Sequence, residues 1–295
     1  MKKTVFRGAA TALITPFKDG KIDYESFGRL IDFQIDGGID ALVVCGTTGE
    51  PSTLDDAEHI NAMEYCIQRT AGRVPVLCGT GSNDTAYAIS LSKRACEMGA
   101  DALLMVTPYY NKTSQRGLVK HFNAVADSVD KPIIVYNVPG RTGLCIKPET
   151  YAELAKHPNI VAFKEAGGDM SAIAHTMALC GDELTLYSGN DDQIVPIMSL
   201  GGSGVISVLS NLIPREVHNI CALFEQGKTK ESLKLQLKYH DLISALFCEV
   251  NPIPVKAAMA LMGYCNGELR LPLCEMEEKN AAKLASIMKE LGIIK

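Results

Sequence analysis

Along this chain, short runs of Val, Ile, Leu and Ala are each followed by a polar tip and then by a longer stretch with apolar residues at helical spacing. The runs are ATALITPF (10–17), ALVVCGT (41–47), VPVLCGT (74–80), DALLMVTPYY (101–110), PIIVYNV (132–138), IVAFKEA (160–166), LTLYSGN (184–190) and SGVISVLS (203–210). They do not alternate apolar with polar, which predicts parallel strands covered on both faces. Their spacing of roughly 20 to 33 residues leaves room for one crossover helix each time. In the stretches between, Leu30, Phe33 and Gln34 follow Phe27 at helical steps, as Ser92 and Cys96 follow Ile89, and Ala152, Leu154 and Ala155 follow the helix-starting Pro148-Glu149. Gly37-Gly38, Gly72, Gly99 and Gly201-Gly202 stand where helices should end in left-handed caps. Eight βα units in series predict an α/β fold, a (β/α)8 TIM barrel, over residues 1–227. Helical segments near 214–227, 229–248, 252–263 and 276–291, with no further strand run, predict the eighth barrel helix followed by a small C-terminal helical region over 228–295.

Composition narrows the picture in three ways. With 295 residues, 47% apolar and 21% charged, the chain can bury a large core, and disorder, collagen and coiled coil are excluded. Its 34 acidic residues against 29 Lys plus Arg leave a net charge of −5, so no basic face for nucleic acid or an anionic membrane is expected. The longest uncharged stretch, Gln193 to Pro214, contains two prolines and three glycines, which would break a spanning helix, and no transmembrane segment is expected. Met1-Lys2-Lys3 and the apolar residues after it resemble a signal peptide only until Arg7 interrupts the run and Pro16-Phe17-Lys18-Asp19-Gly20 ends it; a first strand and a turn fit better. The ten cysteines never form CxxC, and the closest pair, Cys265 and Cys274, is nine residues apart. Reduced core thiols in a cytoplasmic protein are expected.

Candidate chemistry follows from the fold, because a barrel of this kind builds its active site at the carboxyl ends of the strands. Lys164 stands out there, within the apolar run Ile160 to Ala166. A lysine in such a place snorkels, pairs with an acid, or is held for reaction. The reaction would be imine formation with a carbonyl substrate, which needs a neutral amine. At an ordinary pKa of ~10.4 only about four lysines in ten thousand are neutral at pH 7, and burial in a barrel mouth raises that fraction. Tyr136 and Tyr110 lie at neighbouring tips as candidate proton carriers, although aromatic packing explains strand tyrosines equally well. Thr47 could link two phenols, since one hydroxyl donates and accepts at once. Arg141 follows Pro139-Gly140 in a stiffened loop where a guanidinium fork could grip a carboxylate or form a surface salt bridge. The six histidines form no HxH or HxxxH, so a metal-dependent aldolase site is not expected, and no nucleotide site is evident. Asp191-Asp192 is expected to cap the next helix. Gly201-Gly202-Ser203-Gly204 leads into the start of the eighth run and belongs at the bottom of the barrel, away from substrate.

Taken together, GTTGE (46–50), TPYYN (107–111), YNVPGRTG (136–143), the lysine of VAFKEA, SGND (188–191), GVISV (204–208) and NPIPVK (251–256) resemble the dihydrodipicolinate synthase family over essentially the whole chain. The resemblance implies class I aldolase chemistry without a cofactor. Lys164 would form an imine with pyruvate, and the derived enamine would attack L-aspartate-4-semialdehyde, the first committed step toward diaminopimelate and lysine. It also implies Tyr136 as proton relay, Thr47 as its link to Tyr110, and Tyr110 as a residue reaching a neighbouring subunit's site. Thr48 would bind the pyruvate carboxylate and Arg141 that of the semialdehyde, while Gly189 and Ile206 would line the pocket with their backbones. A homotetramer of two tight dimers is the corresponding assembly. N-acetylneuraminate lyase and the 2-keto-3-deoxy sugar acid aldolases share the lysine and first tyrosine, but a polyhydroxylated aldehyde has no use for the cation of Arg141. A non-catalytic pyruvate-responsive regulator would dispense with Lys164 or Tyr136. Lysine-sensitive members of the family bind lysine through segments that here read Pro51 to His59 and Asn83 to Tyr87, plus Tyr109. His59, Asn83 and Tyr109 match, whereas Asp56 and Tyr87 replace a typical histidine and glutamate, so weak or absent lysine inhibition is expected.

Overall fold

The computed structural model describes residue 2 and residues 4–295; Met1 and Lys3, part of the N-terminal stretch weighed above, lie outside the described residues. Eight parallel strands close into one barrel in chain order: β1 (Gly8–Ala12), β2 (Ala41–Val44), β3 (Val76–Gly79), β4 (Ala102–Val106), β5 (Ile133–Asn137), β6 (Ile160–Glu165), β7 (Thr185–Ser188) and β8 (Gly204–Ser207). Closure comes from β1, which pairs with both β8 and β2. Seven of the eight apolar runs contain their strand whole, and the first overlaps only part of its own. The first is displaced from expectation: β1 ends at Ala12, and after Pro16, which has no N–H to give a sheet, the chain makes a separate hairpin of Phe17–Lys18 with Lys21–Ile22. Asp19 and Gly20 form its tip with φ of 54° and 76°.

One crossover helix follows each strand, α1 (Tyr24–Asp36), α2 (Asp56–Thr70), α3 (Thr85–Glu97), α4 (Gln115–Ala126), α5 (Pro148–Leu154), α6 (Met170–Cys180), α7 (Ile194–Ser199) and α8 (Pro214–Glu225), and a single helical turn, Pro139–Thr142, stands in addition between β5 and α5. Local sequence sets their starts. Asp23, Asp55, Asp84, Ser114 and Asp169 cap amides of their first turns, and Pro148 and Pro214 occupy the position where a missing N–H is harmless. Gly38, Gly72, Gly99 and Gly201 adopt the left-handed conformation expected of them, whereas Gly37 remains helical at φ −72°. Four more helices follow, α9 (Thr229–Lys238), α10 (His240–Leu246), α11 (Ile253–Leu261) and α12 (Glu278–Glu290). The expected single helix over 229–248 is thus two, broken at Tyr239, whose φ of −101° and ψ of 8° leave helical geometry.

Period-two alternation on the strands divides the core. Ala10, Val43, Leu77, Leu104, Ile134, Ala162, Tyr187 and Ile206 fill the barrel interior. Their neighbours, such as Leu42, Cys78, Leu103, Val135, Phe163, Leu186 and Val205, pack outward against the helices. Leu246, Val255, Met259, Leu284 and Met288 of the C-terminal helices join that outer layer. Among the described residues no helix is long and apolar enough to cross a membrane. All ten cysteines are free thiols; Cys45, Cys66, Cys78, Cys180 and Cys221 are buried as expected of core residues, while Cys145, Cys248 and Cys274 are exposed.

Candidate active site

Strand register assembles the centre of the site. Tyr136 on β5 is the cross-strand partner of Lys164 on β6, which in turn faces Tyr187 on β7, and alternation turns Tyr136 and Tyr187 into the barrel interior. Lys164 is 6% exposed, and its ammonium nitrogen stands 4.2 Å from the centroid of the Tyr136 ring. Burial pulls its pKa from 10.5 down to about 7; Asp191 pulls upward and Arg141 adds to the lowering. Near neutrality a large fraction of this amine is therefore an uncharged nucleophile. Burial also raises the Tyr136 phenol, with Arg141 and Thr47 acting in the opposite direction, so the phenol is kept protonated as a proton carrier must be.

The surrounding loops are shaped for close approach. A side chain at Gly189 would place its Cβ 2.7 Å from Ala166 Cβ and 3.1 Å from Lys164 Cε, so only glycine leaves the lysine its room. Ile206 is fully buried on β8, and the loop after it is tied down by Asp191. Asp191 does not cap α7, contrary to expectation. Its carboxylate turns inward and accepts the N–H groups of Val208 and Leu209 at 3.0 and 2.9 Å, a tertiary demand that overrides local capping. Thr48 is buried, and its hydroxyl oxygen accepts from Asn251 Nδ2 at 3.0 Å. The carbonyl of the same Asn251 accepts from Arg141 Nη2 at 3.0 Å. Asn251 thus links the two side chains expected to bind carboxylates.

Thr47, Tyr136 and Arg141 line a cavity of about 420 Å³ that continues to His59, Tyr87 and Tyr109. His59 Nε2 lies 3.0 Å from the carbonyl of Gly79, and burial lowers its pKa. Tyr87 donates to Asp56 Oδ1 at 2.7 Å, so the two residues that depart from the lysine-binding pattern are bonded to each other. Asn83 contributes its carbonyl to Asn111 at 3.0 Å. Tyr110 is not brought to its own chain's Tyr136: it is 91% exposed, at φ 65°. The motifs GTTGE and NPIPVK contain Glu50, Asn251 and Lys256 without giving them a role; the charges of Glu50 and Lys256 meet at 2.5 Å in the interior. The signal for Lys256 was of the same kind as that for Lys164, a lysine in the apolar stretch Ile253 to Leu261.

A closed (β/α)8 barrel with a desolvated lysine under a tyrosine at its carboxyl end defines an enzyme of the class I aldolase type, a lyase. Comparison with known proteins is consistent with that chemistry and makes it specific. A model of the dihydrodipicolinate synthetase family matches residues 5–291, and the chain belongs to that family. It is 55% identical over 291 residues to 4-hydroxy-tetrahydrodipicolinate synthase of Caldicellulosiruptor bescii, covering 98% of each. Among solved structures it resembles dihydrodipicolinate synthase from Aquifex aeolicus with a TM-score of 0.96 and 46% identity, over 98% of this chain and 99% of that one. The enzyme from Cyanidioschyzon merolae with lysine bound also superposes with a TM-score of 0.96, at 39% identity, over 99% of this chain and 100% of that one.

Proposed function

We propose that this chain condenses pyruvate with L-aspartate-4-semialdehyde to give 4-hydroxy-tetrahydrodipicolinate, the first committed step of diaminopimelate and lysine synthesis. The supporting observation is Lys164, buried under Tyr136 with its pKa brought to about 7. Its neutral amine attacks the keto carbon of pyruvate, and the adduct loses one water to form the imine. Loss of a methyl proton gives the enamine, whose carbon attacks the aldehyde; the aldehyde oxygen takes up a proton and becomes the hydroxyl. The amino group of the semialdehyde then attacks the imine carbon, closes the ring and returns the lysine amine.

In this reaction Tyr136 moves protons to and from the adduct, and Thr47 relays them. Thr48 holds the pyruvate carboxylate and Arg141 that of the semialdehyde, while the backbones of Gly189 and Ile206 line the pocket. Tyr110, pointing away from its own barrel, completes the relay in a neighbouring subunit of a homotetramer. The setting is the cytoplasm, where pyruvate is available. Borohydride reduction in the presence of pyruvate tests the imine: one reduced adduct is expected, on the peptide that contains Lys164. An adduct elsewhere, or none, refutes the mechanism. Lys164→Arg should abolish trapping, because a guanidinium stays protonated.

A further inference from the structure

The loop that carries Thr47 and Thr48 ends at Glu50, held at φ 54° and ψ 42°, a conformation that residues with a Cβ adopt only when their surroundings enforce it. Here the enforcement comes from the far end of the chain. Glu50 Oε1 lies 2.5 Å from Lys256 Nζ, with side chains 1% and 0% exposed. Glu50 Oε2 also accepts the backbone N–H of Arg270 at 3.3 Å. Lys256 donates further to the carbonyl of Glu268 at 2.6 Å and stands 4.1 Å from the centroid of the Phe17 ring. The Arg270 guanidinium lies 4.3 Å from the same ring and grips both oxygens of Glu58 on α2 at 2.5 and 2.6 Å. Neither Glu50 nor Lys256 has a part in the reaction as written above.

A buried ion pair adds little net stability over an apolar pair of the same size, because desolvation offsets the attraction. What it does supply is a single geometry, since any displacement of one charge leaves the other unpaired in the interior. Thr47–Gly49 form one short 3-10 turn immediately before Glu50, so the position of that carboxylate sets the position of both hydroxyls. Asn251, five residues before Lys256, holds Thr48 from the same segment. We infer that the Glu50–Lys256 pair is a positioning device for the active site, by which the C-terminal region sets the placement of Thr47 and Thr48 for proton relay and pyruvate binding. The inference rests on the roles proposed for those two threonines.

The test uses the full chain with both charges removed together, Glu50→Gln with Lys256→Met, so that neither is stranded. The KM for pyruvate is expected to rise on the order of 10-fold and kcat to fall on the order of 10-fold, the effect of misplacing binding and relay groups by a fraction of an ångström. Borohydride at saturating pyruvate should still label Lys164, because the lysine and Tyr136 are untouched. A folded double variant with KM and kcat within about twofold of the unaltered chain overturns the inference, even if its melting temperature drops. If that variant does not fold, Phe17→Leu decides, because it loosens Lys256 while keeping both charges. A raised pyruvate KM in Phe17→Leu supports positioning, and unchanged KM and kcat refute it. Failure of the unaltered chain to trap pyruvate at Lys164 would instead refute the proposed function itself.

Discussion

Replacing Lys164 by methionine should remove activity and at the same time stabilise the fold, by an amount that depends on pH. In the folded chain the lysine pKa is about 7, against 10.5 for a lysine in water. The folded pKa is the lower of the two, so between pH 7 and 10.5 folding expels a proton. The destabilisation is at its full value below pH 7 and disappears as pH rises toward 10.5. At 1.36 kcal/mol per pKa unit, the shift corresponds to about 5 kcal/mol in acid, about 4 at pH 7 and about 2 at pH 9. Lys164 is 6% exposed, so little solvent screening reduces these values. Methionine has nearly the same length and no charge to desolvate. Denaturant unfolding of both proteins at pH 7 and pH 9 should therefore show an advantage for Lys164→Met that shrinks by about 2 kcal/mol at the higher pH. The packing of the new side chain enters equally at both pH values, which makes the change with pH the informative quantity. An advantage that is the same at pH 7 and pH 9 would mean that the lysine is not held neutral by burial, and the account of its nucleophilicity would fail.

Two further outcomes concern neighbouring groups. Tyr136→Phe and Tyr110→Phe should each lower kcat on the order of 10² to 10⁴, the span for removal of a positioned acid or base. Mixing the two inactive variants under subunit exchange should restore part of the activity, because one site of a hybrid dimer inherits both phenols; absence of complementation, with exchange verified, would place both tyrosines in one chain's site. Lysine should inhibit weakly or not at all, since Asp56 already accepts a hydrogen bond from Tyr87 and no glutamate stands at position 87 to meet an ammonium group. Loss of one charge-assisted hydrogen bond corresponds to roughly 10- to 100-fold in affinity. Half-inhibition at submillimolar lysine would contradict this.

The chain's own pattern determined the barrel. Parallel strands covered on both faces are written as unbroken apolar runs, and capping and helix-ending residues mark the crossovers locally, so Asp55 with Glu58, Pro148 and Gly99 each act on neighbours within a turn or two. Lys164 was legible for a related reason, because a charge inside such a run has to be explained. The tertiary structure decided everything that depends on which distant groups meet. It put Lys164 beside Tyr136 through strand register, and it turned Asp191 from an expected cap into a clamp on Val208 and Leu209. It joined Glu50 to Lys256 across 206 positions and Asn251 to Thr48 across 203. Local periodicity records only whether a residue faces the core. The identity of its partner there is set by barrel closure and by the return of the C-terminal helices onto the loops, which no short stretch of sequence encodes.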